Sequence, residues 1–197
     1  MQGGQWLLHL TKSKRVAERN TRNTFIGINI IPDNEEERLH KLKEYDILDT
    51  PEEGAFNHLA SMATHMFNVP IALVSLVDAN RVWFKANVGM EGIASAPRGE
   101  SLCSLAVLND DLTIFPDAAN EPCLLANPLV SGNFGLRFYA GAPLVTRHGL
   151  NIGTFCLIDK QPREFIESDQ KMLVHLASMV MEEIEKRYLR RKDDNAS

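Results

Sequence analysis

An α+β fold built on a central, mainly antiparallel sheet of about five to six strands is predicted by three features of this chain. The first is the continuous apolar run Ile71 to Val77, a turn at Asp78-Ala79-Asn80, and a second strand-like run from Val82 to Val88. The second is a pair of aromatic and β-branched runs, Leu136–Val145 and Asn151–Asp159, around the short turn 146–150. The third is helical patterning at both ends of this β-rich stretch. Hairpin connections make the sheet antiparallel, and helices placed before, between and after the hairpins cover its faces.

In chain order, Asn34-Glu35-Glu36-Glu37 reads as a helix start. Asp33 or Asn34 serves as cap, the acidic first turn suits the helix dipole, and Leu39 and Leu42 continue an apolar stripe. Thr50-Pro51-Glu52-Glu53 reads as a second start, with Thr50 and Glu53 as a capping box and Pro51 in the first turn. Phe56, Leu59, Ala63 and Met66 then recur at helical spacing to about Phe67, where Asn68-Val69-Pro70 breaks the pattern. Val82, Phe84, Ala86 and Val88 alternate with Trp83, Lys85 and Asn87, the period of a half-buried strand. A glycine-bearing loop, residues 89–100, leads to a short helix over 101–108 and a short strand from Leu112 to Phe115. The long irregular stretch Asp117–Gly135, with one helical turn near Leu124, has the length of a lid or binding loop. A final helix runs from Glu167 to Arg190. Gly141 and Gly153 sit inside strands, which marks close approach of another group to the backbone.

The chain has 197 residues and 44% hydrophobic content, enough for one domain with a substantial core. Its net charge of −5 is uneven: residues 1–34 carry +3, leaving the remainder strongly acidic. An acidic domain without a basic stripe is a poor nucleic-acid binder, and no apolar run is long enough to span a membrane. We therefore expect a basic, poorly ordered arm over 1–33, a folded domain over 34–190 and a charged tail over 191–197. Leu7, Leu8 and Leu10 among the basic residues leave a transit-peptide reading open beside that of a plain tail. Three cysteines without a CxxC suit free thiols in a reducing, cytoplasmic setting.

Several segments, in this order and spacing, resemble a GAF domain of the subgroup at the front of bacterial-type sensor histidine kinases and diguanylate cyclases. They are Glu37-Arg38-Leu39, Tyr45-Asp46-Ile47-Leu48-Asp49-Thr50-Pro51, Val69 to Asp78, Val82-Trp83-Phe84-Lys85, Pro97-Arg98, Ser101-Leu102-Cys103, Asp117-Ala118, Asn127-Pro128-Leu129-Val130, Arg137 to Leu144 and Gly153 to Asp159. The match covers about residues 35–188. The resemblance implies a sensory or regulatory module of two-component type, with terminal helices on one sheet face forming a homodimer and loops on the other enclosing a small-molecule pocket. It also implies an effector domain, in cis or in trans. Two departures fall on the pocket side. Ser104-Leu105 replaces a histidine-bearing segment after Cys103, and Cys123-Leu124 replaces an Arg-Phe pair.

Candidate ligand-binding residues on this reading are Arg98, Ser101, Cys103, Asp117, Asn127, Arg137 and Tyr139. Arginine offers a planar fork for carboxylate or phosphate. For Arg137 the competing reading is an ion pair with Asp117 or another loop carboxylate, for Tyr139 a core tyrosine, and for Asn127 a turn former. Leu173, Leu176, Val180 and Ile184 are the expected dimer contacts of the last helix. The ligand is left unknown, and neither a metal nor catalysis is expected. His58 and His65 lie seven apart on one helix, too far to chelate one ion. Two alternatives stay open: a dimerisation scaffold whose pocket is filled by side chains, with Arg137 paired to a carboxylate, and a thiol enzyme akin to free-methionine-sulfoxide reductases, using Cys103 and Cys123. A bilin tether at Cys103 lacks the accompanying motifs.

Overall fold

The computed structural model describes residues 24–195 apart from Ile26, so most of the basic arm lies outside the described residues. A small hairpin, β1 (Thr24–Phe25) and β2 (Ile28–Asn29), precedes helices α1 (Glu35–Glu44) and α2 (Gly54–Phe67). The strands β3 (Ile71–Val77), β4 (Arg81–Val88) and β5 (Ser95–Pro97) follow, then α3 (Cys103–Ala106) and β6 (Thr113–Phe115). Two 3₁₀ turns (Ala118–Asn120 and Pro122–Leu124) and the short helix α4 (Pro128–Ser131) occupy the expected irregular stretch. Strands β7 (Phe138–Val145) and β8 (Asn151–Asp159) and helix α5 (Glu167–Asn195) complete the chain. The helix thus continues past Arg190 into the segment expected to be a tail.

The sheet has six strands in the order β5-β4-β3-β8-β7-β6, and every pairing is antiparallel. Fold class and both hairpins follow the sequence reading. The central strands β3 and β8 are buried along their whole length because both sheet faces are covered. One face packs Ala72, Val74, Leu76, Phe138, Ala140 and Leu157 against α1, α2 and α5. The other packs Leu73, Val77, Phe84, Tyr139, Cys156 and Ile158 against the N-terminal hairpin, α3 and the 3₁₀ turns.

Two local expectations fail for identifiable reasons. Neither α1 nor α2 has a side-chain cap. The Thr50 hydroxyl instead donates to the Ile47 carbonyl (2.6 Å) and accepts from Lys85 Nζ (2.9 Å), while Glu53 is taken by ion pairs, so α2 begins only at Gly54. Strand β4 is not half-buried, since residues 82–86 are all buried. Its alternation is broken by a bulge: Val74 pairs Ala86 and Ser75 pairs Phe84, which leaves Lys85 without a partner on β3. The extra residue reverses parity beyond it, so Ala86 joins the helix side and Phe84 the loop side. The strand glycines do mark close approach as expected, and the approaching groups belong to the protein itself. A Cβ on Gly153 would lie 2.1 Å from the Ser75 carbonyl oxygen of β3, and one on Gly141 would lie 2.5 Å from the Tyr139 hydroxyl.

Candidate functional site

The loop-side face carries a small apolar pocket of about 50 Å³. Leu73, Phe84, Leu136 and Ile158 line it from the sheet side, and Met90, Leu102, Leu129 and Phe134 close it from the connecting segments. Of the candidate residues, Ser101, Cys103 and Tyr139 line this pocket.

The other four are engaged elsewhere. Arg98 is 1% exposed and works as a structural hub. Its guanidinium donates to the Ile30 carbonyl (3.0 Å), the Asp78 carbonyl (3.2 Å) and both carboxylate oxygens of Glu35. Arg38, also fully buried, forks onto the same carboxylate at 2.9 and 3.0 Å. Burial works to raise the Glu35 carboxyl, and the hydrogen bonds from Arg98 and Arg38 outweigh it, holding the group below the usual carboxylate range. Asn127 caps α4 by accepting from the Leu129 N–H at 2.8 Å, and its amide donates to the Glu100 carbonyl at 2.9 Å. Asp117 caps the first 3₁₀ turn and receives a bidentate fork from Arg137, at 2.7 and 2.6 Å. Arg137 precedes β7 and keeps a side-chain exposure of 39%, outside the pocket lining.

Tyr139 is wholly buried, and its hydroxyl has no hydrogen-bond partner. Beside it lies a feature the sequence reading missed. Cys103 Sγ and Cys156 Sγ are 3.7 Å apart, both buried, with Ser75 Oγ 3.8 Å from Cys156 Sγ. Cys156 of β8 is therefore the sulfur neighbour of Cys103. Cys123, the expected partner, is exposed and free. Fifty-three residues separate the two buried thiols, so spacing alone gave no signal. The strand parity of Cys156 with Thr154 and Ile158 was the available clue.

The dimer expectation for α5 meets a correction. Leu173, Leu176, Val180 and Ile184 are at most 2% exposed and belong to the protein's own core. The apolar side chains α5 turns outward are Met172, Val174, Met179 and Leu189. Along its second half the helix is tied to the α1 end by Arg187 donating to the Tyr45 carbonyl (3.0 Å), Tyr45 donating to Glu185 (2.6 Å), and contacts of Tyr188 with Glu44 and Arg191 with Asp46. Among the described residues no helix is long and apolar enough to cross a membrane.

Comparison with known proteins decides the family. The GAF domain model matches residues 51–184. The chain belongs to the GAF domain family. It is 39% identical over 154 residues to a cyclic di-GMP phosphodiesterase of Pseudomonas aeruginosa, covering 78% of this chain and 26% of that protein. The GAF chain thus spans about a quarter of that relative's length. Among solved structures, the GAF domain of an Acinetobacter phosphoenolpyruvate-protein phosphotransferase superposes with a TM-score of 0.58 at 17% identity, over 80% of this chain and 96% of that one. The Neisseria meningitidis free methionine-R-sulfoxide reductase, solved with its substrate, gives a TM-score of 0.55 at 19% identity, over 79% and 89%. At these identities the structural likeness establishes the fold alone.

Proposed function

We propose that this GAF domain is a non-catalytic regulatory unit of a signal-transduction protein, passing its state to an effector through α5 in a homodimer. The carrying observation is α5 itself. It has 29 residues, its first part buried on the sheet and its second part bound to α1 by polar contacts. At 1.5 Å per residue such a helix is roughly 44 Å long, sufficient to carry a displacement beyond the sheet. The outward residues Met172 and Met179, seven apart and so on one stripe of the helix, are our candidates for the dimer seam, in place of the buried set. The relative's name supports an effector concerned with cyclic di-GMP turnover, in cis or in trans.

Between a ligand sensor and a filled-pocket scaffold, the geometry favours the scaffold form for the conformation described. Pockets for small organic ligands run to roughly 300–1,000 Å³. This one is about 50 Å³, and Arg137 is already paired with Asp117. A larger ligand requires the 89–102 and 117–136 segments to move outward. Light scattering on the purified chain tests the output half, with a dimer expected for the parent and a monomer for Met179→Lys. A parent that stays monomeric at tens of micromolar refutes it. A thermal-shift screen of nucleotides and metabolites tests the pocket. No shift is expected, and a saturable rise with any ligand too large for the cavity overturns the filled form.

A further inference from the structure

The geometry points to Cys103 and Cys156 as an oxidisable dithiol, which a small uncharged hydroperoxide reaches through the loop-side pocket and converts to a disulfide. This redox input goes beyond the regulatory reading above and depends on neither dimer nor ligand.

Three observations carry it. The two sulfurs are 3.7 Å apart, in van der Waals contact, and both side chains are buried. A disulfide needs about 2.05 Å, so closure asks for about 1.7 Å of movement. Cys156 is fixed mid-strand in β8, whereas Cys103 sits on a four-residue helix of a connecting segment, the side able to move. The second observation is polarity without a structural use. Thr154 Oγ1 and Tyr139 Oη are buried with no hydrogen-bond partner, and Ser75 Oγ adds a third hydroxyl at the sulfurs. Leaving a hydroxyl unpaired costs folding free energy, and an apolar core would put Val, Phe and Ala here. Around a thiolate the same groups are donors. The Cys156 thiol and the Ser75, Thr154 and Tyr139 hydroxyls all pull the Cys103 ionisation downward against the opposing effect of burial, while Cys156 is pushed up and stays protonated. Access is the third observation. Cys103 and Tyr139 line the pocket of about 50 Å³, which exceeds the space a water-sized molecule needs.

The chemistry balances without a further reagent. The Cys103 thiolate attacks one peroxide oxygen, the O–O bond breaks, and hydroxide leaves to take up a proton as water, giving the sulfenic acid. Cys156 then attacks the Cys103 sulfur. The S–O bond breaks, and the departing hydroxide leaves as water with the Cys156 proton. Two thiols lose two electrons, and hydrogen peroxide is reduced to two waters.

The test uses the full chain with the exposed thiol removed, C123S, which leaves the buried cluster untouched and two cysteines in the chain. Native protein is treated with hydrogen peroxide, quenched, unfolded and alkylated. Free thiols should fall from two to none, mass should drop by two hydrogens, peptide mapping should join Cys103 to Cys156 in a monomeric chain, and dithiothreitol should restore both thiols. Retention of both thiols, oxygen adducts in place of the cross-link, or a link between chains overturns the proposal. In the parent chain a Cys103–Cys123 bridge under the same treatment overturns it as well.

Discussion

Replacing Glu35 by Gln tests how the N-terminal hairpin, α1 and the β3–β4 turn are held together. Glu35 is the one carboxylate bound by both Arg38 and Arg98, whose side chains are fully buried. Each Glu35 oxygen accepts from both arginines: Oε2 from Arg38 Nε and Arg98 Nη2, Oε1 from Arg38 Nη2 and Arg98 Nη1. Gln keeps the shape but turns one of those oxygens into a donor facing two N–H groups, and it removes the carboxylate charge that both guanidinium groups bind. Breaking a buried ion pair from one side costs about 3–5 kcal/mol, because an uncompensated buried charge remains. For a chain of this size each kcal/mol moves the melting temperature by about 2–4 °C, so E35Q should melt roughly 6–20 °C below the parent. The pH dependence has a definite sign. A carboxyl depressed in the folded state contributes stability above its unfolded value, near 4.5, and that contribution is lost as pH falls through the folded value. E35Q should therefore show a flatter acid limb as well as a lower plateau. Circular dichroism melts from pH 7 down to pH 3 provide both readouts. A neutral-pH melt within about 2 °C of the parent would refute the reasoning.

Three further expectations follow from single contacts. Gly153→Ala places a methyl group 2.1 Å from the Ser75 carbonyl oxygen, a backbone atom of the neighbouring central strand. Overpacking of this kind costs at least 1–3 kcal/mol, so urea denaturation should show a clear loss or failure to fold, and an unchanged midpoint counts against the packing described. At pH 5, where Cys103 is a thiol, Tyr139→Phe removes a buried, unpartnered hydroxyl, which should leave the urea midpoint unchanged or raise it. A loss above about 1 kcal/mol would mean that the hydroxyl has a partner. Gly141→Ala clashes with the same tyrosine at its hydroxyl (2.5 Å) and ring (3.0 Å), so Tyr139→Phe should recover part of the loss in a double-mutant cycle.

Both hairpins and the long helices were legible because their signals are local: an apolar run, a polar turn, helical spacing. What failed was the reading of side chains whose partners lie far away in sequence. Thr50 and Glu53 form a capping pattern, yet Lys85 and Arg187, which claim Glu53, lie 32 and 134 residues away. The α5 stripe of Leu173, Leu176, Val180 and Ile184 has the spacing of a dimer seam and of a core face alike. Only the sheet beneath it distinguishes the two. In the candidate site, the Arg137–Asp117 pair was foreseen as the alternative to ligand contact. The two-arginine clamp on Glu35 was not, since nothing in the sequence distinguishes a buried arginine from a solvated one. The β4 bulge explains a subtler miss, because parity counted along the strand reverses at Lys85.

That bulge also links the pocket to α5. Phe84 lines the loop-side pocket, while the next residue, Lys85, reaches the opposite side of the sheet. Lys85 Nζ donates to Thr50 Oγ1 (2.9 Å), the Pro51 carbonyl (2.7 Å) and Glu53 Oε1 (2.7 Å), and Arg187 of α5 donates to that same Glu53 oxygen at 2.8 Å. One peptide unit and one carboxylate therefore separate a pocket residue from the output helix. Burial draws the Lys85 ammonium below its usual value, and Glu53 opposes that shift. Lys85→Met keeps the stem and removes the three donors. Glu53 is part-exposed and keeps Arg187, so the loss should stay near the worth of one hydrogen bond to a charged group, about 1.5–3 kcal/mol. The informative readout is local. Amide exchange should quicken over residues 50–54 and around Arg187 while the β7–β8 hairpin keeps its protection. Uniform quickening across the sheet would make Lys85 a plain core residue, and unchanged exchange at Arg187 would break the link between pocket and helix.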